Sequence, residues 1–422
     1  MSPRTPDRRA LYADSAQSAR RVRRRSFLGA LGVVAAAGGS TAVASAVLPS
    51  EDEGAKPDDG TKRHEDGKPA GRRAEPAQRP LFIGTFGGGI VTGSYDTSSG
   101  AISTSGAVQD VTSPTFLALA EDGKVLYALD EASEEGSVRA YAVGDRGKLS
   151  PLGEPQSTGG KGVTHLSVHA SGKWLLSANY GSGSVAVHPI KADGGLGART
   201  DLVQHEGKGP DPDRQEGPHA HQIVSDPKGG FVIAVDLGTD SLFSYRLDAE
   251  KGTLKRVAEA KAKPGAGPRH LAFHPDGRFA YVANELDSTI SVYAYDAGSG
   301  KFTRGGSIST LPEGEEPGVR NFPAEVAVAA DGRTVYVSNR GHNSVAWMSA
   351  GGGGESLKMA GAVPCGGDWP RHISIPSGGD VLWAGNEKSG TIGVFAVDKA
   401  SGALKEAGEP VKVTKPVCVL PT

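Results

Sequence analysis

Between residues 217 and 290 the chain places His219 and His221 in GPHAHQ, Arg269 and His270 in GPRHLAFHPDG, and Glu285 in ANELDST. Arg340 follows in SNRGHNS, and Arg371 and His372 in PRHISI. Together these residue types can bind an anion and move a proton. Arginine keeps its charge and offers fixed donors, so Arg269 and Arg340 suit a substrate carboxylate or a developing oxyanion. A neutral histidine titrates near the working pH, so His221 or His219 is the candidate base. Glu285, among arginines, is expected to stay ionised with a lowered pKa, which suits it to orienting the histidine or the water. No HExxH or CxxC spacing occurs, so no metal or other cofactor is expected. The i, i+2 pair His219 and His221 points one way on a strand and leaves a metal open.

These residues recur at fixed places in a repeat. Each unit reads apolar strand, turn (EDGK, ASGK, DPKGG, HPDGR, ADGR or PSGGD), apolar strand, polar tip, then a third and a fourth strand. Period-two alternation with Gly, Asn or Asp between the runs is a hairpin signal. Six units begin at residues 114, 163, 219, 268, 323 and 370. LFIGTF and the strand after it lack a first strand, and the C-terminal PVCVLP is a first strand with nothing after it. Joined, they make a seventh unit and remove the free sheet edges. The expected fold is all-β, a seven-bladed β-propeller closed by pairing of its terminal strands.

An antiparallel hairpin lays the start of strand one beside the end of strand two. The third residue of strand one is expected to be Phe116, His165, His221, His270, Glu325, His372 and Cys418 around the ring. Phe86, Glu131, Tyr180, Leu237, Glu285, Arg340 and Glu387 follow strand two, and Arg269 and Arg371 precede their histidines. All converge on one mouth of the central channel, a concave cluster of titratable groups. His165, His270, Asn284, Asn339, Arg371 and His372 are assigned to substrate contacts. The acidic residues of DPDR (211–214) and EGEE (313–316) read as solvated loops.

Composition limits the rest. Glycine numbers 61 of 422 residues, twice the usual share of roughly 7%, without the Gly-X-Y period of collagen. The net charge of −2 gives no push toward nucleic acid or an acidic membrane, so a small-molecule substrate and a monomer are expected. Cys365 and Cys418 could form at most one bridge, or serve as two small buried hydrophobes. Residues 1–46 read as an export signal: Arg24-Arg25-Ser26-Phe27-Leu28, an Ala- and Gly-rich apolar run, then Ala44-Ser45-Ala46. This resembles a twin-arginine signal, against the alternative of a membrane anchor, and it is the one expected link to a membrane. Residues 47–78 hold almost no large apolar residue and read as a disordered linker, leaving 79–422 for the propeller.

On SANYGSGSVAVHPI, GPHAHQ, VDLGTDSLFSY, GPRHLAFHPDGRFAYVANELDSTISVY, VYVSNRGHNS and PRHISI the chain resembles the seven-bladed propeller lactonase family. That family includes bacterial 6-phosphogluconolactonases and fungal carboxy-muconate lactonizing enzymes. The resemblance implies hydrolysis of a sugar lactone, with His219 or His221, Arg269, Glu285 and Arg340 at the site. An export signal departs from the cytoplasmic setting of the sugar-phosphate enzymes. A muconate-type lyase or isomerase and a non-catalytic binding propeller are the alternatives, separated by product analysis on a lactone panel.

Overall fold

The computed structural model describes residues 77–315 and 320–422. The expected export signal and nearly all of the expected linker lie outside them. Seven antiparallel sheets of four or five strands follow one another along the chain. We number the blades from the one at the N-terminal end of this region. Blade 1 joins Gln78–Thr85, Ile90–Asp96 and Ile102–Val108 to the C-terminal strand Pro416–Pro421. Blades 2 to 7 begin with the innermost strands Leu117–Leu119, Val163–Val168, Ala220–Ser225, Pro268–Phe273, Phe322–Val328 and Pro370–Ser374.

The terminal strands pair antiparallel, with Phe82 opposite Leu420, Ile83 opposite Val419 and Gly84 opposite Cys418. The closure supplies the innermost strand that the N-terminal half-blade lacks. The turn between strands one and two repeats for a stereochemical reason. Gly123, Gly172, Gly229, Gly277, Gly332 and Gly379 all have φ between 67° and 72°, where a side chain would be strained. Each donates its N–H to the carbonyl three residues back, as Gly277 does to His274 at 2.8 Å.

The core lies between blades, in seven apolar clusters, each drawn from two neighbours. Leu176, Val187, Ile223 and Phe243 pack blade 3 on blade 4, and Leu81, Ile83, Trp383 and Val394 pack blade 1 on blade 7. Strand-two aromatics add polar ties between blades. The Tyr281 hydroxyl donates to the Gly354 carbonyl, Tyr336 to Gly402, and Trp383 Nε1 to Gly100. The two cysteines are free and buried, so the expectation of two small hydrophobes holds and no bridge forms.

Candidate active site at the channel mouth

Six of the seven innermost strands begin with an irregularity in register against strand two. An extra residue there re-aims a side chain. In blade 5 Pro268 pairs with Asn284 and His270 with Ala283, so Arg269 is the bulged residue. In blade 7 it is Arg371, between the Pro370 and His372 pairings. In blade 4 Ala220 pairs with Asp236 and Gln222 with Val235, so the bulged residue is His221. The backbone bond from Leu237 N to His219 O matches that from Glu285 N to Gly267 O. This corrects the sequence alignment by one position in blade 4. His221 is the counterpart of Arg269, and Gln222, not His221, is the counterpart of His270.

The shift separates two layers of the channel. The inner layer holds Phe116, His165, Gln222, His270, Glu325, His372 and Cys418, and several of these side chains tie one blade to the next. His165 Nδ1 accepts from Ile223 N at 3.4 Å, Gln222 Oε1 from Leu271 N at 2.8 Å, and His372 Nδ1 from Val419 N at 3.3 Å. Accepting at Nδ1 leaves His165 and His372 protonated at Nε2 when neutral. His270 works the other way and donates Nδ1–H to Glu325, 2.9 Å away. The rings also touch, with His165 and His270 centroids 5.3 Å apart and Phe116 4.2 Å from His165. Burial and the neighbouring cations hold the imidazoles of His165 and His270 well below the ordinary 6.5. Burial takes His372 down to about 4, with Glu325 opposing. The same burial raises the Glu325 carboxyl.

The outer layer is the mouth, and Glu285 is its centre. Its buried carboxylate meets three guanidiniums. Arg340 Nη2 donates to Oε2 at 2.6 Å, and Arg214 Nη2 donates to Oε1 at 2.5 Å. Arg269 Nε lies 3.3 Å from Oε2, close enough for an ion pair, but makes no hydrogen bond there. Burial would raise the Glu285 pKa, but Arg340, Arg214 and Arg269 outweigh it and hold the carboxyl far below its ordinary value. Arg269 is anchored by Nη1 on the Ala324 carbonyl at 2.8 Å, and Arg340 by Nε on the Phe322 carbonyl at 3.2 Å. Arg340 also lies 5.7 Å from the Trp369 ring. Trp369 has φ of 70° where blade 5 has Gly267, a strained conformation held beside the mouth. Arg371 pairs loosely with Glu387 at 3.7 Å and covers the Phe86 ring at 5.1 Å.

His219 and His221 have different surroundings. His219 Nδ1 is 2.9 Å from the Tyr180 carbonyl, which can only accept, so that nitrogen carries the proton. Its ring stacks on Tyr180 at 4.4 Å. Its backbone N–H donates to Asp236, which also accepts from buried His205 Nδ1 at 2.6 Å, and Tyr245 donates to His205 Nε2. His221 has no partner on its buried Nδ1 and sits 5.0 Å from His270. Burial, then Arg269, His270, Arg371 and Arg340, keep its imidazole well below 6.5 and so neutral at neutral pH.

Not every expected residue faces the mouth. Asn284 donates to Thr289 and Ser291, both at 2.8 Å, and Asn339 donates to the Thr310 carbonyl at 2.9 Å. Asn179 and Asn386 make similar bonds in blades 3 and 7. These amides belong to the repeat, where they tie strand two to strand three or to the connection that enters the blade. Arg214 was not singled out in the sequence; in DPDR, Pro212 and Asp213 are exposed as expected, but Asp211 and Arg214 are half-buried. Asp211 accepts from the backbone N–H of Asp213 and Arg214, and buried Gln215 donates to the Leu237 carbonyl at 2.8 Å. This turn aims Arg214 inward, where it also reaches the Tyr180 hydroxyl at 3.3 Å. Only the long connection between Gln204 and Ala220 hints at it in the sequence. Among the described residues no three His, Cys, Asp or Glu side chains come together as a metal site.

A closed ring of seven blades with one carboxylate among three arginines and a neutral histidine defines a propeller with a polar, anion-attracting mouth. Residues 80–421 match the family described as lactonase, 7-bladed beta-propeller, and the chain belongs to that family. It is 35% identical over 343 residues to a 6-phosphogluconolactonase of Bacillus subtilis, covering 80% of this chain and 97% of the relative. A probable 6-phosphogluconolactonase of Arthroderma benhamiae is 34% identical over 357 residues, 81% of this chain and 89% of that one. The solved periplasmic gluconolactonase of Pseudomonas aeruginosa superposes with a TM-score of 0.75 at 27% identity, covering 82% of this chain and 99% of its own.

Proposed function

We propose that the protein hydrolyses the internal ester of a sugar lactone at this mouth. The cluster of Arg214, Arg269 and Arg340 about Glu285, with neutral His221 beside Arg269, carries the reading. His221 takes a proton from water as the water oxygen bonds to the lactone carbonyl carbon. The carbonyl oxygen becomes an oxyanion, stabilised by Arg269 and Arg340. The arginines that keep His221 unprotonated oppose the proton less once that negative charge has formed beside them. The carbonyl–ring oxygen bond then breaks, the ring oxygen takes the proton from His221, and the product is the open hydroxy acid. Glu285 stays ionised and holds the arginines in register. His219, stacked on Tyr180, shapes the wall beside His221. The inner-layer His165, His270 and His372 support the ring and do not enter the reaction.

The test is acid release from a lactone panel, with the product identified. Arg269→Ala and Arg340→Ala are each expected to lower turnover about 100-fold, the scale of one lost oxyanion donor. His221→Ala is expected to cost more than His219→Ala. Hydrolysis that survives in a folded Arg269→Ala, Glu285→Ala, Arg340→Ala triple variant would move the chemistry elsewhere. An unsaturated diacid as product would favour a lyase.

We further propose that residues 1–46 direct twin-arginine export and are followed by a linker from residue 47 that ends before Gln78, one residue short of the expected bound because Gln78 already pairs with Asp96. The Arg24-Arg25-Ser26-Phe27-Leu28 motif supports this, as does the likeness to a periplasmic gluconolactonase. Changing Arg24 and Arg25 to Lys should retain the folded protein in the cytoplasm, and unchanged export would refute it. Residues 79–422 act alone on a small molecule in this reading, as a monomer.

A further inference from the structure

We infer that Arg214 reads an anionic substituent of the substrate, a phosphate or carboxylate outside the lactone ring. This rests on the lactonase reading of the same mouth and names what that site selects. Arg269 and Arg340 are deeply buried and each is fixed to a backbone carbonyl. Arg214 differs on both counts. Its side chain is 31% exposed, and besides Glu285 it holds only the Tyr180 hydroxyl. Glu285 keeps two arginine partners if Arg214 turns to another anion.

Charge points the same way. Three guanidiniums meet the one carboxylate of Glu285, so positive charge exceeds negative around it. Burial and the charges of Arg340 and Arg371 push Arg269 down to about 9 against Glu285 and Glu325, whereas Glu285 and Tyr180 outweigh burial at Arg214 and hold it charged. Buried like charges are costly unless an anion joins them. The Arg214 backbone is already placed to receive one. Asp211 caps its turn, and the buried Gln215 amide binds Leu237 and the Asp211 N–H. A guanidinium on a fixed stem suits the planar, bidentate recognition of carboxylate or phosphate.

The experiment compares three lactones on the full chain: neutral glucono-δ-lactone, 6-phosphogluconolactone, and a muconolactone bearing a carboxylate. In Arg214→Met the ratio of kcat/KM for the anionic lactone to that for the neutral one should fall about 10- to 100-fold, the scale of a hydrogen bond to a charged group. Most of the fall should appear in KM, and Arg214→Lys should restore part of it. A fall confined to the phosphorylated lactone assigns phosphate; one confined to the carboxylated lactone assigns carboxylate. An unchanged ratio for both would overturn the inference. If the wild type opens no lactone, the lactonase reading fails separately, and calorimetric titration with 6-phosphogluconate and inorganic phosphate decides. Binding lost in Arg214→Met would uphold Arg214 as an anion reader. Equal binding by both proteins, or none by the wild type, would overturn it.

Discussion

Acid should unfold this propeller, and the channel histidines set where. His165, His221, His270 and His372 are buried with pKa values below the ordinary 6.5. The folded state therefore leaves them neutral where the unfolded chain would take up protons. Their contribution is fully present above pH 6.5 and is lost as pH falls below it. Each imidazole costs about 1.4 kcal/mol per pH unit in that window, so four cost about 5 kcal/mol per unit. The loss continues down to each group's folded-state pKa, and Glu325, whose carboxyl burial raises, opposes part of it. His372 stops contributing near pH 4, where its own folded-state titration begins. Glu285 adds to the loss only at lower pH, because its folded pKa is depressed from the ordinary 4.5. The assay is guanidinium unfolding at half-unit steps from pH 7.5 to 4.5. A variant separates these histidines from other groups. Blade 4 already uses Gln222 where blades 3 and 7 use His165 and His372, and its amide oxygen accepts the same kind of inter-blade N–H. His165→Gln with His372→Gln should keep those bonds and halve the pH slope. A free energy flat between pH 7.5 and 5.5, or a slope unchanged in the double variant, would show that the channel histidines protonate without unfolding.

Other perturbations follow from the same geometry. Deleting residues 416–422 removes the innermost strand of blade 1 and exposes the edge of Gln78–Thr85, so the truncated chain should lose cooperative melting and aggregate; a preserved calorimetric transition would mean that the ring does not need closing. Asn284→Ala should cost about 1–3 kcal/mol in unfolding free energy, by stranding the hydroxyls it binds, while kcat per folded molecule stays within about twofold. Glu285→Gln leaves three guanidiniums without their carboxylate and should destabilise the fold by about 3–5 kcal/mol as well as lowering turnover, read by denaturant melts beside initial rates. With His221 as the proposed base, the acid limb of kcat/KM should lie below pH 6.5, since burial and the neighbouring cations favour its neutral form; a limb above 6.5 would point to another base.

Much of this was legible in the residues because the repeat is written by local stereochemistry. A turn that needs positive φ asks for Gly at one place in every unit, and the hairpin pattern repeats around it. The matching half-units at the two ends required only that sheet edges be paired, and Phe82 opposite Leu420 is the result. Glu285 and Arg340 were recoverable because the end of strand two follows from antiparallel pairing, and Arg269 because it precedes a histidine of the first row.

What was not legible lies where the chain leaves the repeat. Taking the third residue of each unit sets His221 against His270, because the blade 4 unit then starts one residue early. Blades 4 and 5 carry the same bulge, and the turns at Asp226-Pro227 and His274-Pro275 keep the same spacing to His221 and Arg269, so matching on the turns gives the right pair. The correct register takes His221 out of the inner layer of inter-blade ties, places it in the outer layer at the mouth, and puts Gln222 in its place. Arg214 escaped for another reason. It lies on an irregular connection, and nothing local says that Asp211 and Gln215 turn that connection inward rather than into solvent. The asparagines failed in the opposite sense: Asn284 and Asn339 sit next to Glu285 and Arg340 in the chain, but on a strand neighbours face opposite ways, and their amides go into the blade. In a repeat protein the shared positions hold the ring together. The candidate site draws on more than these: Glu285, Arg269 and Arg340 stand at shared positions, while Arg214 stands on a connection outside the repeat, where alignment to the repeat places nothing.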